Sequence, residues 1–390
     1  MDLALSDEQE ALRASARGFL ERACPSDLVR RVRTPAGDGH DPDLWAGMAE
    51  LGWLGLAFPE SAGGGGGDLL DLAVVYEEAG RALVPTTLYS TVEAALLIDH
   101  SADDHQRAEL LPAVLAGDRI VSVALHEAGM RSSPDALSTT VAPDGDGVVV
   151  HGTKLFVPNA GVAHDLVVVA RDPSATAADS VRLVVVPTDA PGVSPIPLST
   201  FAHDAQHEVS LDGVRVPADR VLAPASSSAW SAIERVRRVA TALQCVEMVG
   251  GARAVRERTV RYVTDRAQFG RPIGSFQAVQ HHVADLSTHL DAAGLAAWQA
   301  VWRCSVGPDE PAAQADVAIA KVAASDAYVG TTLMAHQLHG GIGFAVDHDL
   351  HLWSDRARAA ALTVGSREDH LRALAEGLFA RPRPGLESFI

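Results

Sequence analysis

Cysteine is scarce in this chain. The three cysteines, Cys24, Cys245 and Cys304, lie far apart in the sequence and form no C-x-x-C pair. Zinc sites need clustered ligands, and disulfide frameworks belong to small secreted proteins, whereas this chain has 390 residues. We therefore expect no metal site, and we expect the three thiols to be buried.

Positive charge and long apolar runs are also in short supply. The formal net charge is −18 at pH 7, and a surface of that sign repels a phosphate backbone, which argues against nucleic acid as a partner. No apolar run approaches the roughly 18–20 residues that cross a bilayer. The N-terminal stretch MDLALSDEQEALRASARGFLERA has neither the basic start nor the apolar centre of a signal peptide, and its Ser6 and Gln9 fit a helix capping box. We expect a cytoplasmic protein that binds no membrane.

The phosphate-binding motifs of the common nucleotide folds are absent as well. No G-x-G-x-x-G follows a predicted strand, so a Rossmann cofactor site is not indicated. The run SAGGGGGD (61–68) has no strand before it and no Gly-Lys-Ser/Thr after it. We interpret that run as a flexible loop.

The sequence does contain two changes of periodicity. Over 1–119, apolar positions recur at helical spacing, as in LLDLAVVYEE (69–78). Over 120–223, short β-branched runs alternate with turn sequences such as PDGDG, which predicts an antiparallel β domain. Helical spacing returns over 224–390 and predicts a C-terminal domain that is similar to a four-helix bundle. This order predicts an α+β fold of three domains.

The most informative stretch is VRYVTDRAQFGRPIGSFQAVQHHVADL (260–286). An amphipathic helix breaks at Gly270 and Pro272 and a second helix follows, which predicts a helical hairpin. Arg266 and Gln268 stand just before the break, where they could either partner the helix dipole or bind a ligand. A later segment, AHQLHGGIGF (335–344), combines a glutamine with glycines that let a backbone approach a ligand closely.

These two segments together resemble the acyl-CoA dehydrogenase family, whose flavoproteins desaturate acyl thioesters. The family pattern of Arg, Phe-Gly, Pro-Ile and Phe-Gln is present at Arg266, Phe269-Gly270, Pro272-Ile273 and Phe276-Gln277. Its Gln-x-x-Gly-Gly-x-Gly segment runs from Gln337 to Gly343. The order of helical, β and helical regions matches the family over the whole chain.

The resemblance implies that both segments hold the pyrophosphate and adenosine end of an FAD that belongs to a neighbouring subunit, so that a complete site requires an oligomer. Arginine suits a pyrophosphate because its planar fork forms paired, charge-assisted hydrogen bonds. The candidate FAD-binding residues of this half are Arg266, Gln268, Phe269, Phe276, Gln277, Gln337, Gly340 and Gly341.

The chain departs from the family where a catalytic base is expected. The family reaction removes a proton from the α carbon of the thioester while a hydride leaves the β carbon for the flavin, and a carboxylate takes the proton. The resemblance places that carboxylate at Val364 or, as in other members, at Ala240 on the helix before Arg266. Neither residue is an acid, so the catalytic residue stays unknown. Glu247 lies on the same helix, about 10 Å of rise beyond Ala240, and we interpret it as structural.

The segments that contact the flavin ring also depart from the family. The usual Thr-Glu-Pro-x-x-Gly-Ser reads HEAGMRSS (126–133) here, which keeps Glu127 and Ser132. The usual Trp-Ile-Thr is replaced by a segment in which Phe156 can still stack, whereas Pro158 offers neither a hydroxyl nor an N–H. Ser132 and Phe156 complete the candidate FAD contacts.

We therefore expect an FAD-dependent oxidoreductase of lipid metabolism that acts on acyl-CoA or another acyl thioester and passes electrons to a separate acceptor. Because the adenosine half of the pattern is intact and the catalytic half is eroded, the favoured hypothesis is a base-lacking subunit that pairs with a related acyl-CoA dehydrogenase chain. The alternatives are a homo-oligomer that uses another acid such as Glu127 or works as a flavin monooxygenase, and a scaffold without flavin.

Overall fold

The computed structural model of the protein describes residues 4–34, 38–129, 133–175, 180–222 and 228–379. The chain divides into two compact units, each built from separate stretches of sequence. Unit 1 consists of Met1–Gly18, Ala73–Leu83 and Arg238–Ile390, and unit 2 consists of Phe19–Leu72 and Val84–Arg237.

The described part of the chain begins with helices. They are α1 (Asp7–Ala23), α2 (Ser26–Val32), α3 (Pro42–Glu50), α4 (Leu69–Ala82), α5 (Thr87–Ser101) and α6 (Asp104–Leu115). The predicted capping box of α1 is confirmed, because the Gln9 N–H donates to Ser6 Oγ at 3.1 Å and the Ser6 N–H donates to Gln9 Oε1 at 3.2 Å. Asp103 and Gln106 form the same box at the start of α6.

The glycine run between α3 and α4 has a defined conformation. The N–H groups of four successive glycines donate to carbonyl groups of residues 55–59 at 2.8–3.1 Å; these glycines are Gly64, Gly65, Gly66 and Gly67. A Cβ at Gly64 would lie 2.3 Å from the Phe58 carbonyl oxygen, so the close approach requires glycine. The run therefore holds its shape through backbone hydrogen bonds, unlike the flexible loop that its composition led us to expect.

The middle of the chain forms an eight-stranded sheet in unit 2. In chain order the strands are β1 (Val121–Ala124), β2 (Thr140–Asp144), β3 (Gly147–Pro158), β4 (Asp165–Arg171), β5 (Val181–Pro187), β6 (Val193–Leu198), β7 (Gln206–Pro217) and β8 (Val221–Leu222). Their spatial order is β6-β7-β3-β2-β4-β5-β8, with β1 paired to β4. The pairs are antiparallel except β1 with β4 and β2 with β4, which are parallel. The predicted α+β fold, with helices at both ends and a sheet between them, is confirmed.

The core of unit 2 joins α5, α6 and the sheet to the first turns of the following long helix. Ile98, Leu111, Val167, Leu183 and Ile233 are representative members, and each exposes 2% or less of its surface. Burying one such side chain is worth roughly 1.5–3 kcal/mol, so this cluster is the main source of stability for the unit.

Unit 1 is helical. After α7 (Ala229–Asp265) come the short strands β9 (Ala267–Gln268) and β10 (Arg271–Pro272) and then α8 (Gln277–Val306), α9 (Pro311–His339), α10 (Leu350–Leu362) and α11 (Arg367–Phe379). α9 packs against α8, α10 and α11. Arg256 of α7 and Asp291 of α8 form an ion pair at 3.9 Å, as the predicted helical hairpin requires. The boundaries of the three predicted domains, 1–119, 120–223 and 224–390, remain a prediction.

The helices α4 and α7 cross at very short range within unit 1. A Cβ at Gly80 would lie 2.0 Å from the Glu247 carbonyl oxygen, and one at Gly250 would lie 1.9 Å from the Glu77 carbonyl oxygen. The crossing is therefore possible only with glycine on both helices. The Glu77 carboxylate, beside the crossing, pairs with Arg253 of α7.

Among the described residues, no helix is both long enough and apolar enough to span a bilayer. The same residues contain no group of three His, Cys, Asp or Glu side chains that could hold a metal ion. All three cysteines are buried, as we expected.

Candidate functional site

The corner after α7 is a tight hairpin of β9 and β10. Phe269 and Gly270 form its turn with φ values of +56° and +80°, the geometry of a type I′ turn. Arg266 lies directly before the hairpin, and its carbonyl accepts a hydrogen bond from the Ile273 N–H at 2.8 Å. The turn thus fixes the backbone of Arg266 relative to the start of α8.

Most side chains around this hairpin are exposed. Arg266, Gln268 and Gln277 are exposed, and Phe269 exposes 90% of its surface. Within the described part of the chain, the Arg266 guanidinium makes no hydrogen bond or ion pair. Its charge and its five donors are therefore available to an anion.

Phe276 is more enclosed than its neighbours. Phe269 approaches it edge-on with 6.2 Å between ring centroids, and the Arg271 guanidinium lies 4.1 Å from its ring centroid. These contacts make Phe276 a support for the hairpin, which leaves the arginine and the glutamines for ligand contact.

The glutamine–glycine segment ends α9. Gln337 is exposed on the last turn, and Gly340 and Gly341 open the 3₁₀ turn that follows. Gly340 has a φ of +61°, and a Cβ added to either glycine would meet no atom within 4 Å. The Gly340 N–H donates to the His336 carbonyl at the end of α9. The two glycines therefore contribute open space that lets a ligand approach the backbone closely.

The two predicted segments adjoin in unit 1. Tyr262, one turn before Arg266, stacks on His339 with 4.2 Å between ring centroids, and its hydroxyl donates to the His339 carbonyl at 3.3 Å. His339 directly precedes Gly340. Burial lowers the pKa of His336 and of His339, so both rings are neutral at pH 7. The structure therefore brings the arginine motif and the glycine motif onto one surface, and the positive charge there comes from arginine.

The two positions at which a catalytic base was expected lie around one buried lysine. Lys321 on α9 is completely buried, and its ammonium donates to Gln244 Oε1 at 2.7 Å and to the Thr363 carbonyl at 2.8 Å. Gln244 lies one turn after Ala240 on α7, and Thr363 directly precedes Val364. Neither Ala240 nor Val364 carries a proton acceptor in its side chain.

The backbone at Val364 is strained. Its φ of +54° lies in the left-handed region, which β-branched residues rarely adopt. Gly365 follows with a φ of +107°, and a Cβ there would lie 2.9 Å from the His370 ring. His370 Nε2 lies 3.1 Å from the Val364 carbonyl oxygen. We call residues 363–365 the elbow.

Glu247, the nearby acid on α7, is committed to an ion pair. It exposes 2% of its surface, and the Arg356 guanidinium donates to Glu247 Oε1 at 2.9 Å. A buried carboxylate that balances a buried cation fits the structural role that we assigned to it.

In unit 2, Glu127 is held by four donors. Its carboxylate accepts from the Ser138 N–H at 2.6 Å, the Ser138 hydroxyl at 2.5 Å, the Thr139 N–H at 3.0 Å and Lys154 Nζ at 2.6 Å. Burial acts to raise the pKa of Glu127, but the hydrogen bonds from Lys154 and Ser138 outweigh it and lower that pKa to about 2. Such a carboxylate is a poor general base, which argues against Glu127 as a substitute.

Phe156 stands at an irregularity of the sheet. The register between β3 and β7 shifts between Lys154 and Val157, and Phe156 at this shift has a φ of +52° and exposes 44% of its surface. The shift turns an aromatic face outward, which keeps Phe156 available for stacking. Ser132, the other predicted flavin-ring contact, lies outside the described residues.

The sequence reasoning missed Lys154 and Lys321. Each is completely buried, and each organises a segment in which a catalytic acid was expected or considered. A usable signal was present, because only two of the 32 lysine and arginine residues of the chain are lysines.

Comparison with known families places most of the described chain in one group. The acyl-CoA dehydrogenase N-terminal domain matches residues 6–118, the middle domain matches 122–214 and the C-terminal domain matches 231–379. Among characterised sequences, the chain is 31% identical over 390 residues to acyl-CoA dehydrogenase FadE12 of Mycobacterium tuberculosis, with 97% of each chain covered.

Solved structures of the same group superpose closely. A single-residue variant of the Tcur3481–Tcur3483 steroid ACAD has a TM-score of 0.84 and 34% identity, with 96% of this chain and 98% of that chain covered. The ChsE4–ChsE5 complex of Mycobacterium tuberculosis has a TM-score of 0.86 and 25% identity, with 98% of this chain and 100% of that chain covered.

Proposed function

We propose that this chain, which belongs to the acyl-CoA dehydrogenase family, is a subunit that lacks its own catalytic base and completes the FAD site of a related, base-bearing chain. The reaction of the family is FAD-dependent dehydrogenation of an acyl thioester. In this assembly the Arg266 hairpin and the Gln337–Gly341 segment hold the pyrophosphate and adenosine end of the partner's FAD, and a separate electron-transfer protein takes the electrons.

One observation carries the cofactor part of the proposal. Arg266 has no partner among the described residues, and it follows Tyr262 by one turn. Tyr262 stacks on His339, which directly precedes two glycines with open space beside them. A planar cation suits a diphosphate, and glycine lets the diphosphate approach the backbone closely. These residues therefore fit the diphosphate end of FAD.

Bound FAD supplies the hydride acceptor for the reaction. This chain's part is to bind and to orient: Arg266 neutralises the diphosphate, and Gln337 offers both a donor and an acceptor beside it. The absence of side chains at Gly340 and Gly341 leaves room for the diphosphate to approach the backbone closely.

The surroundings of the nearby carboxylates support the proposal that this chain lacks its own catalytic base. The resemblance to the family implies a carboxylate at position 364 or 240, and this chain has Val364 and Ala240 there. Glu247 is neutralised by Arg356, and Glu127 has a pKa of about 2 with four donors around it. Loss of a general base costs about 10²–10⁴ in rate, so an assembly that works needs a carboxylate from a second kind of chain.

The names of two similar structures support the pairing. One joins Tcur3481 with Tcur3483, and the other is a complex of ChsE4 with ChsE5. Both names describe assemblies of two different chains, and each superposes on this chain over nearly its full length.

The test is to purify this chain alone and together with a related chain that carries glutamate at the position of Val364. We expect flavin absorbance and turnover of an acyl-CoA only when both chains are present. In that complex, Arg266→Ala should lower the affinity for FAD by about 10–100-fold, since a charged hydrogen bond to phosphate is worth roughly 1.5–3 kcal/mol.

The matched control is Arg372→Ala, which removes an exposed arginine on α11 that pairs with the nearby Asp369. It should leave the FAD content unchanged. The proposal is wrong if the chain alone is a stable homo-oligomer that retains one FAD per chain and oxidises an acyl-CoA rapidly.

A further inference from the structure

The chain uses lysine only where an ammonium is enclosed. Only two of its 32 lysine and arginine residues are lysines, and both are completely buried. A buried arginine must satisfy five N–H donors in a planar fork, whereas a lysine has three donors on a compact head. Lys154 is balanced by Glu127, but Lys321 forms no ion pair with a described carboxylate, so its burial needs another explanation.

Lys321 has three oxygen acceptors, one for each proton of its ammonium, and the Met248 sulfur lies 4.0 Å away. Its ammonium donates to Gln244 Oε1 at 2.7 Å, to the Thr363 carbonyl at 2.8 Å and to the Ala360 carbonyl. The two carbonyls belong to the C-terminal end of α10, where a helix leaves its last carbonyls without partners. Lys321 therefore caps the C-terminal end of α10, and its charge also complements the negative end of the helix dipole.

The other side of the elbow is held by α11. His370 Nε2 contacts the Val364 carbonyl oxygen at 3.1 Å. The start of α11 is itself capped, because Ser366 and Asp369 exchange hydrogen bonds at 3.0 and 3.3 Å. Val364 thus lies between the end of α10 and the start of α11, and both helix ends are fixed by hydrogen bonds. Although Val364 is β-branched, it adopts the left-handed conformation.

We propose that Lys321 is a positioning residue that, with His370, forces residue 364 into the left-handed conformation. The elbow thereby keeps the backbone geometry that would hold a catalytic carboxylate at position 364, although the residue there is a valine. Strain of this kind persists only where the surrounding structure imposes it. The inference uses the proposed function only to regard position 364 as the place of the base. The clamp itself can be tested on the chain without any cofactor.

The experiment is a double-mutant cycle on thermal unfolding of the full chain, with Val364→Gly, Lys321→Met and the double variant. Glycine adopts the left-handed conformation without strain, so Val364→Gly should raise the midpoint by about 1–2 °C in the otherwise unchanged protein. With Lys321→Met in place the elbow can relax. The same glycine should then give no rise, or a small fall, because it also increases the entropy of the unfolded chain.

If Lys321 does not impose the conformation of residue 364, the two substitutions should act independently and the glycine should shift the midpoint equally in both backgrounds. Equal glycine effects in both backgrounds, or a lower midpoint for Val364→Gly alone, would overturn the proposal. His370→Ala provides a second cycle on a half-buried residue, and it decides the matter if Lys321→Met does not fold. Because no flavin or partner enters this measurement, its failure would leave the hetero-oligomer proposal standing, and the reverse also holds.

Discussion

The charges of the two buried lysines of this chain are stabilised in different ways. Lys154 in unit 2 lies 2.6 Å from a carboxylate oxygen of Glu127, so the pair is neutral overall. Lys321 in unit 1 is surrounded by an amide oxygen and two backbone carbonyls and keeps its net charge. Burial lowers the pKa of each lysine to about 8, which leaves both largely protonated at pH 7.

The difference shows what each lysine stabilises. The Lys154–Glu127 pair ties the loop after β1 to β3, and the same carboxylate collects the N–H groups of Ser138 and Thr139. Glu127, which had been considered as a substitute base, therefore has a structural role in this segment. Lys321 donates hydrogen bonds to the carbonyls of Ala360 and Thr363 at the end of α10, next to Val364. The buried lysine of the structural site, Lys154, is thus neutralised by a carboxylate, whereas the buried lysine at the elbow, Lys321, has neutral acceptors.

The largest expected effect comes from Glu127→Gln. This change leaves Lys154 as an unpaired charge in the interior, so the free energy of unfolding of unit 2 should fall by about 3–5 kcal/mol in urea titration. Glu21→Gln, on the exposed face of α1, is the matched control and should change it by less than about 0.5 kcal/mol. A loss below about 1 kcal/mol for Glu127→Gln would remove the contrast between the two lysines.

The next effect is the pH dependence of that loss. Without Glu127, burial lowers the pKa of Lys154 further below its ordinary value, so the unfolded variant binds more protons than the folded one over a wider pH range. Its stability should therefore rise with pH more steeply than that of the unchanged protein. We expect the loss to shrink by up to about 1.4 kcal/mol between pH 7 and pH 10, because Lys154 has a pKa of about 8 in the unchanged protein and the two proteins differ in proton binding only below that pH. A loss that stays constant over this range would show that Lys154 is not the source of the penalty.

Removing a neutral partner from the other lysine should cost less. Gln244→Leu takes one of three acceptors from Lys321, and we expect a loss of about 1–2 kcal/mol in the free energy of unfolding of unit 1. Gln314→Leu, on an exposed position of α9, is the control for the change of side chain. If Gln244→Leu costs as much as Glu127→Gln, the ammonium of Lys321 depends on the amide as strongly as Lys154 depends on its carboxylate.

Much of this architecture was predictable from local patterns. The helical, β and helical order followed from periodicity, and the turn at Phe269 and Gly270 followed from a glycine and a proline in a helix-breaking context. The Arg266 and Gln337 segments stood out because they match a family pattern, and the resemblance implied that they bind a diphosphate. All of these features are encoded within short windows of sequence, where period and turn chemistry act directly.

The elbow and its clamp could not be predicted in this way. Lys321 lies in the apolar stretch AIAKVAAS, and its acceptors come from α7 and α10, which are far away in sequence. The left-handed φ of Val364 contradicts local propensity, so it can only come from tertiary contacts. Likewise, the four donors around Glu127 come from other segments, and they turned a candidate base into a structural acid.

The smallest expected effect, and the finest test of the comparison, is to replace each lysine by arginine. Both changes add bulk to a filled interior and should cost about 1–3 kcal/mol for that reason alone. At residue 154 the guanidinium fork can bind the Glu127 carboxylate with two hydrogen bonds, which recovers part of the cost. At residue 321 the three oxygens cannot satisfy five N–H groups, so Lys321→Arg should be about 1 kcal/mol more destabilising than Lys154→Arg in urea titration. If Lys154→Arg costs as much or more, the carboxylate gives no geometric advantage to a planar cation, and the two sites differ only in net charge.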